Sequence, residues 1–391
     1  MKKNILMLAY TRYSTDARIR REAETLAFQD GYSVSILTLK EKSFPIAYNL
    51  DGVNIIEVNL NKYQGKNNAR YLFSYFQFML ISFLKCNIMF FLKKIDIIHV
   101  HNMPDFLVFA AIIPRLFGKR LILDIHDSMP ETYYTKFKNK SKLIYRVLCW
   151  EEAICCRLAN KIICVNHPQK EELIKRGIDA KKIEISMNIP DNKRFNLEEK
   201  EKYKKNPGDA FKLVYHGTQA KRLGVDLAIK AVAKLVDKIP GLEFHIIGTG
   251  DDLEDFIKES IYLGIEKYIR FSKKIIPLED LTKILAEMDM GIVANRKNIA
   301  TELMLPVKML EYIALNIPVI VPRLRAIEYY FSNEMVRYFE PENVDSLARA
   351  ILEAYKDEPK RNAQTQMARK FLEQYGWEKH QMDLINLYRN L

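Results

Sequence analysis

The feature that most constrains this chain is a repeated alternation of short apolar runs with segments of helical periodicity, which occurs twice along its 391 residues. In the first stretch Asn4–Tyr10 reads as a strand, and Ala17–Gln29 as a helix whose Ile19, Ala23, Leu26 and Ala27 share one face. Tyr32–Leu39 is the next strand, and further on come Ile95–His101, a helix around Phe106–Phe117 and the strand Arg120–Ile125. A long helix, Ser141–Leu158, leads to the strand Lys161–Val165, the helix Pro168–Arg176 and the strand Ile183–Ser186. The charged segment Pro190–Asp209 is poor in large apolar residues, closes with Pro207-Gly208 and reads as a linker.

After it the alternation restarts. Lys212–His216, Glu243–Ile247, Ile269–Phe271, Met290–Val293 and Ile317–Val321 read as strands, separated by helices at Val225–Val236, Leu253–Ile261 and Leu278–Ala286 and by one carrying Lys308 and Glu311. Helical patterns at Val344–Tyr355 and Pro359–Gln374 precede an amphipathic tail, Trp377–Leu391, expected to pack back on the first domain. Serial β-α units mean a parallel sheet covered on both faces. The expected fold is therefore α/β, with two doubly wound, Rossmann-like parallel-sheet domains: residues 1–190, a linker at 191–209, and 210–376. Such sheets bind ligands at the carboxyl ends of their strands, which predicts a site in a cleft between the domains.

Composition agrees with two cores rather than one. At 48% hydrophobic and 28% charged residues the chain is a folded protein, and its length exceeds one ordinary core. The net charge of +12 favours anionic partners: nucleic acid, an acidic membrane face or phosphorylated small molecules. No aromatic-basic platform or recognition module is present, which argues against nucleic acid. Five cysteines, Cys86, Cys149, Cys155, Cys156 and Cys164, lack C-x-x-C spacing and are odd in number, against a disulfide framework or a zinc site. The start MKKNILMLAY is too short in its apolar run for a signal peptide, so a cytoplasmic location is expected.

One stretch stands apart. Tyr71–Leu92 is almost continuously apolar, with Lys85 its one charge, and could just span a bilayer. Ser74, Gln77, Ser82 and Lys85 form a narrow polar stripe, while Phe73, Tyr75, Phe76, Phe78, Phe83, Phe90 and Phe91 supply a large apolar area. A span, an in-plane surface on an anionic cytoplasmic membrane face that meets a lipid-linked acceptor, and a buried crossover helix all fit this pattern.

Chemistry gathers at strand ends. Leu213–Tyr215 runs into His216, Gly217 and Thr218, then Lys221, Arg222 and Gly224 before a helix; glycines there serve a ligand's approach or a plain βα turn. Ile247 leads into Gly248-Thr249-Gly250, and Phe271 into Ser272-Lys273-Lys274, whose backbone could read a base edge. In 300–323, Glu302, Leu305, Pro306 and Lys308 lead into a helix carrying Glu311. A helix N-terminus beside a Lys suits a phosphate, and a carboxylate further along can accept from ribose hydroxyls; standing alone, the segment fits an ordinary amphipathic helix with surface Glu and Lys better. In the first half, His126 sits at a strand terminus as a candidate ligand contact, while His99 suits a structural role. Asp16, Arg18, His101 and Asp105 either line the acceptor side or are solvated loop charges. There is no D-x-D triplet, which disfavours metal-dependent sugar-nucleotide binding of that type, so no metal and no cofactor are expected.

In order and spacing these segments resemble glycosyltransferase family 4, the group 1 transferases of GT-B architecture. The resemblance rests on TDARIRREAETLAFQDGYSVSILT, DIIHVHN, LILDIHD and KIICVN…ISMNIP, then LVYHGTQAKRLGVDLAIKAV, FHIIGTG and ELMLPVKMLEYIALNIPVIV, and covers nearly the whole chain. It implies a retaining, metal-independent hexosyl transfer from a UDP- or GDP-sugar to a glycan or lipid-linked acceptor, in surface polysaccharide assembly. By that likeness Glu311 holds the ribose, Arg222 and Lys308 neutralise the diphosphate, backbone amides near Leu305 and Pro306 assist, and His126 meets the donor sugar. The chain departs from the pattern in three places, the first being the loop Thr11–Asp16, which has no glycine pair. Leu303 stands where the family has its first acid, with Glu302 one residue early, and Thr218 and Leu223 replace an Arg and Lys, leaving Arg222 as a shifted candidate. The rival expectations are a nucleotide-sugar-binding partner subunit that transfers nothing, and an epimerase or hydrolase on the same architecture.

Overall fold

The computed structural model describes residues 2–41, 46–63, 68–136, 141–190, 192, 194–203 and 210–391. It divides into two compact units: Met1–Asn188 with His380–Leu391, and Ile189–Lys379.

Unit 1 is built on strands β1 (Lys3–Ala9), β2 (Tyr32–Leu39), β3 (Ala47–Leu50), β4 (Val53–Val58), β5 (Ile97–His101), β6 (Arg120–Ile125), β7 (Lys161–Cys164) and β8 (Ile183–Ile185). They lie in the order β3-β4-β2-β1-β5-β6-β7-β8, all parallel except β3, which pairs antiparallel with β4. β3 and β4 have no counterpart in the sequence-based expectation: Asn54 breaks an already short apolar run, and β3 is a largely exposed edge. The order reverses direction between β1 and β5, so the carboxyl ends of these strands form the switch point of the sheet.

The strands are buried on both faces. On one, Leu6, Leu8, Ile98, Val100, Leu121 and Leu123 pack beneath helices α2 (Asn68–Phe91), α3 (Ile112–Leu116) and α5 (Lys142–Leu158) and the 3₁₀ segment Asp105–Ala111. On the other, Ile5, Met7, Ile36 and Ile122 pack against α1 (Ala17–Ala27) and the C-terminal helix Trp377–Arg389. α4 (Met129–Lys136) follows β6. Within α2, Tyr75, Phe78 and Cys86 enter the core, and Phe83 and Phe90 are half-buried against it. The expected polar stripe does not face water as a unit, because Ser82 is buried and Ser74 Oγ pairs with Tyr10 Oη at 2.8 Å.

Unit 2 has strands β9 (Lys212–His216), β10 (Glu243–Ile247), β11 (Ile269–Phe271), β12 (Met290–Ile292), β13 (Val319–Pro322) and β14 (Arg337–Phe339), in the all-parallel order β11-β10-β9-β12-β13-β14. This is the strand order 3-2-1-4-5-6 of a dinucleotide-type fold, with its switch point between β9 and β12. Within the segment expected to be a linker, Leu197–Lys202 is helical, while Pro207 and Gly208 lie outside the described residues.

Candidate functional site

In unit 2 the strand ends converge on the helix Val307–Ala314. Gly217 and Gly248 follow β9 and β10 at φ +111° and +118°, a region that favours glycine. A Cβ on Gly248 would lie 2.3 Å from the Gly217 carbonyl oxygen, and one on Gly217 would lie 3.3 Å from Lys308 Nζ. The two turns and the first turn of the helix therefore meet at one point.

Lys308 occupies that point. Its Nζ is buried with no hydrogen-bond partner and stands 3.8 Å from the centroid of the Tyr215 ring. Burial pushes its pKa down to about 7, with Arg222 acting in the same direction and Glu311 against it. An unpaired buried ammonium is unfavourable until an anion arrives. Pro306 precedes the helix, whose first N–H groups lack intrahelical acceptors. Arg222 is exposed on the 3₁₀ turn Lys221–Leu223, close enough to Lys308 to disfavour its charge. These groups make a surface suited to a phosphate.

Glu311 is held rather than free. Its Oε2 lies 2.6 Å from His216 Nε2, and His216 Nδ1 lies 2.8 Å from Tyr312 Oη. The carboxylate is oriented yet remains partly exposed, ready to accept from hydroxyls. Neither His216 nor Tyr312 entered the sequence-based site with this role; a histidine closing an apolar strand just before a glycine was the available signal. Thr218 is exposed, and its carbonyl accepts from Tyr215 Oη at 2.7 Å. Lys274 is exposed, with its carbonyl accepting from Ser272 Oγ at 3.2 Å, and Gly248 N donates to the same Ser272 Oγ at 2.8 Å. Leu305 is half-buried beside Pro306.

Glu302 is directed elsewhere. Its Oε2 accepts from Arg325 N at 2.6 Å and its Oε1 pairs with Lys297 at 3.2 Å, so it caps the helix Arg325–Tyr330; Leu303 beside it is buried. The carboxylate that was to replace the missing acid is thus engaged in joining two helices.

Unit 1 has a different kind of centre. Asp124, buried on β6, accepts from Arg18 Nη2 at 2.6 Å, and its Oδ2 lies 3.0 Å from His126 Nε2 and 3.3 Å from His101 Nδ1. Arg18 Nε reaches Glu22 at 3.1 Å, and His99 Nδ1 reaches Tyr388 Oη at 2.7 Å. Burial alone would raise the Asp124 carboxyl, but Arg18, His126 and His101 together hold it well below its usual range. Burial, with His99 beside it, pushes His101 well below the usual histidine value. The expectation of solvated charges at Arg18, His101 and Asp105 is corrected: all three are buried. Asp105 Oδ1 accepts from Asn102 Nδ2 at 2.7 Å, and burial, together with the Glu151 charge, pushes it up to about 8. Asp16 caps α1, accepting from Ile19 N at 3.3 Å. His126 alone of the histidines on this centre is partly exposed, with its backbone N–H donating to Asn102 Oδ1 at 2.8 Å.

Donor atoms of Glu22, His99, His101 and Asp124 lie within 4.8 Å of one another, close enough to enclose a cation. Arg18 lies between the two carboxylates, 3.1 Å from Glu22 and 2.6 Å from Asp124, while Glu22 Oε2, His99 Nε2 and His101 Nε2 are buried without a hydrogen-bond partner. Asp124 and Glu22 were not among the sequence-based candidates. A carboxylate inside an apolar strand, LILDI, was the visible clue to the first.

Residues 210–357 match the family described as glycosyl transferases group 1, and residues 18–189 match glycosyltransferase family 4. No curated protein matches the sequence. Similar solved structures include a sucrose-phosphate synthase from Thermosynechococcus elongatus, at 16% identity and TM-score 0.79, covering 100% of this chain and 99% of that one. HepE from Anabaena, in complex with UDP, gives 12% and 0.72 with both chains fully covered. The lipopolysaccharide outer core galactosyltransferase WaaB gives 15% and 0.65, again over the whole of both. At such identities these likenesses establish the fold.

Proposed function

Because the chain belongs to the group 1 glycosyltransferases of family 4, with GT-B architecture, we propose that unit 2 holds a UDP-sugar and that the transfer is retaining and metal-independent. The single observation that carries this reading is Lys308, an unpartnered buried ammonium at the meeting point of two glycine turns and a helix N-terminus. The choice of UDP over GDP rests on HepE, which was solved with UDP and with UDP-glucose.

In this proposal Lys308 and Arg222 oppose the charge that grows on the diphosphate as the bond from the sugar's anomeric carbon to the phosphate oxygen breaks. Fixed cations of this kind are the main catalytic term for such a leaving group. The acceptor oxygen bonds to the anomeric carbon on the same face, and its proton passes to the departing phosphate oxygen. Glu311, oriented by His216, accepts from the ribose hydroxyls. His126 meets the donor sugar, and unit 1 takes a glycan or lipid-linked acceptor in surface polysaccharide assembly. WaaB supports that acceptor class through the reaction its name describes.

A panel of UDP-, GDP- and ADP-sugars, screened first for binding and then for products, tests the reading. The expected result is a glycoside that keeps the donor's anomeric configuration and forms undiminished in EDTA. Inversion, or full dependence on an added divalent ion, would refute the corresponding part. A second reading, binding without transfer, is favoured by one observation: Leu303 is buried and Glu302 is engaged, so neither supplies the family's first acid. A bound donor that yields no product with any acceptor would decide for it.

A further inference from the structure

The outward side of α2 is more apolar than the side it turns to the sheet. Leu72, Phe76, Leu80, Leu84, Ile88 and Leu92 recur every four residues, each between 45% and 61% exposed, with Phe73 and Phe91 beside them. Inside, by contrast, lie Ser82 and Asn87, whose buried Oγ and Oδ1 have no hydrogen-bond partner. A helix that merely covers a sheet shows the opposite polarity.

The apolar surface continues beyond α2. The Phe90 and Phe117 rings stand 5.7 Å apart, which joins the end of α2 to the exposed Leu116 and Phe117 at the end of α3. On α5, Leu143, Ile144, Val147 and Trp150 are exposed at spacings that share one helix face. All these helices cover the same face of the sheet, since Tyr75 and Phe78 of α2 and Ala153 and Cys156 of α5 enter one core. Exposed apolar area on this scale marks an interaction surface.

The charges say what kind. Residues 68–94, 106–120 and 141–150 contain no Asp or Glu. Their exposed charged side chains include Arg70, Lys93, Lys94, Lys142 and Arg146. A second copy of the same face would set these cations against one another, whereas anionic headgroups complement them.

We propose that this face of unit 1 docks on an anionic lipid bilayer, with α2 lying in the plane of the interface and the exposed side chains of α2 and α5 entering the headgroup boundary. Although Ala69–Phe91 is long and apolar enough to cross a membrane, a crossing would strip the core of Tyr75 and Phe78, which pack edge-to-face on Tyr10 at 4.6 and 5.5 Å.

Flotation of the full chain tests this, using phosphatidylcholine vesicles with and without roughly a third of phosphatidylglycerol. At low salt the protein is expected to float with the anionic vesicles only, and to be released as salt rises. Phe76→Ser, Leu84→Ser and Trp150→Ser combined should lower partitioning by about a hundredfold or more, with the melting temperature unchanged because all three are exposed. Tyr262→Ser, at a still more exposed position in unit 2, should leave partitioning as in the parent chain. The proposal is overturned if the parent chain stays soluble with anionic vesicles, or if the triple variant floats as well as the parent. It also fails if sedimentation shows a dimer that the triple variant dissolves, which would assign the face to a second copy. Should the triple variant unfold, Lys93→Glu with Lys94→Glu decides, and unchanged partitioning then sinks the idea. Flotation reads no turnover, so its failure leaves the transfer reading standing.

Discussion

Lys308 is where burial and function pull against each other. Its pKa of about 7 lies far below the roughly 10.4 of an unfolded chain. Between these values the unfolded chain holds a proton that the folded protein lacks, so this residue's contribution to stability rises as pH climbs through that window. A bound diphosphate restores the proton. Nucleotide binding should therefore take up a proton above pH 7, and Kd should weaken by up to about tenfold per pH unit there. Calorimetry in buffers of different ionisation enthalpy measures the uptake, and Lys308→Met should abolish it. An unchanged uptake in that variant would remove Lys308 from the phosphate site. Glu311→Ala removes an oriented acceptor and frees His216, so turnover at saturating donor should fall on the order of 100-fold. Activity near that of the parent chain would refute the ribose assignment. Glu311 was legible in the sequence because it follows a Pro and a Lys on one short helix. Its anchor His216 was not, because the contact spans 95 positions.

At the scale of elements, two helices show what pattern alone leaves open. The tail Trp377–Arg389 is amphipathic, and amphipathicity says that one face is buried without naming the partner. In the fold that partner is unit 1: Leu384, Leu387 and Tyr388 fill its core against α1, and Tyr388 reaches His99 at 2.7 Å. Fully burying side chains of this size stabilises by about 1.5–3 kcal/mol each, so ending the chain at Gly376 removes a large part of a domain's typical 5–15 kcal/mol. Unit 1 of such a truncation should be unfolded or aggregated by near-ultraviolet circular dichroism. Tyr388→Phe, which loses only a hydrogen bond, should lower the urea midpoint by an amount equivalent to about 1 kcal/mol. α2 gives the complementary lesson. Its length and apolar character were plain, but the side that faces water was set by packing on Tyr10 and the 3₁₀ segment Asp105–Ala111.

For the whole molecule, the two sheets separate two kinds of centre: unit 2 carries a buried cation with no hydrogen-bond partner, and unit 1 carries a buried carboxylate, Asp124, already paired with Arg18 and His126. A nucleotide diphosphate should therefore act on unit 2. At a hundred times its Kd it should add about 2.7 kcal/mol of apparent stability. Hydrogen exchange with UDP alone should show protection at Gly217, Gly248 and Lys308, and none at His99, His101 or Asp124. Protection confined to the second set would reverse the assignment of the units. The alternation of strands and helices was legible in the residues alone, because burial on both faces of a parallel sheet demands unbroken apolar runs. Glycine, proline and helix-start signals are local, and they picked out the strand ends and the candidates Lys308 and Glu311. That Arg18, His101 and Asp105 are buried rather than solvated, and that Glu302 serves as a cap, followed from packing in three dimensions. The reason is that charge balance and hydrogen-bond satisfaction are properties of neighbours in space: Asp124 meets Arg18 across 106 positions, and no local pattern carries that pairing.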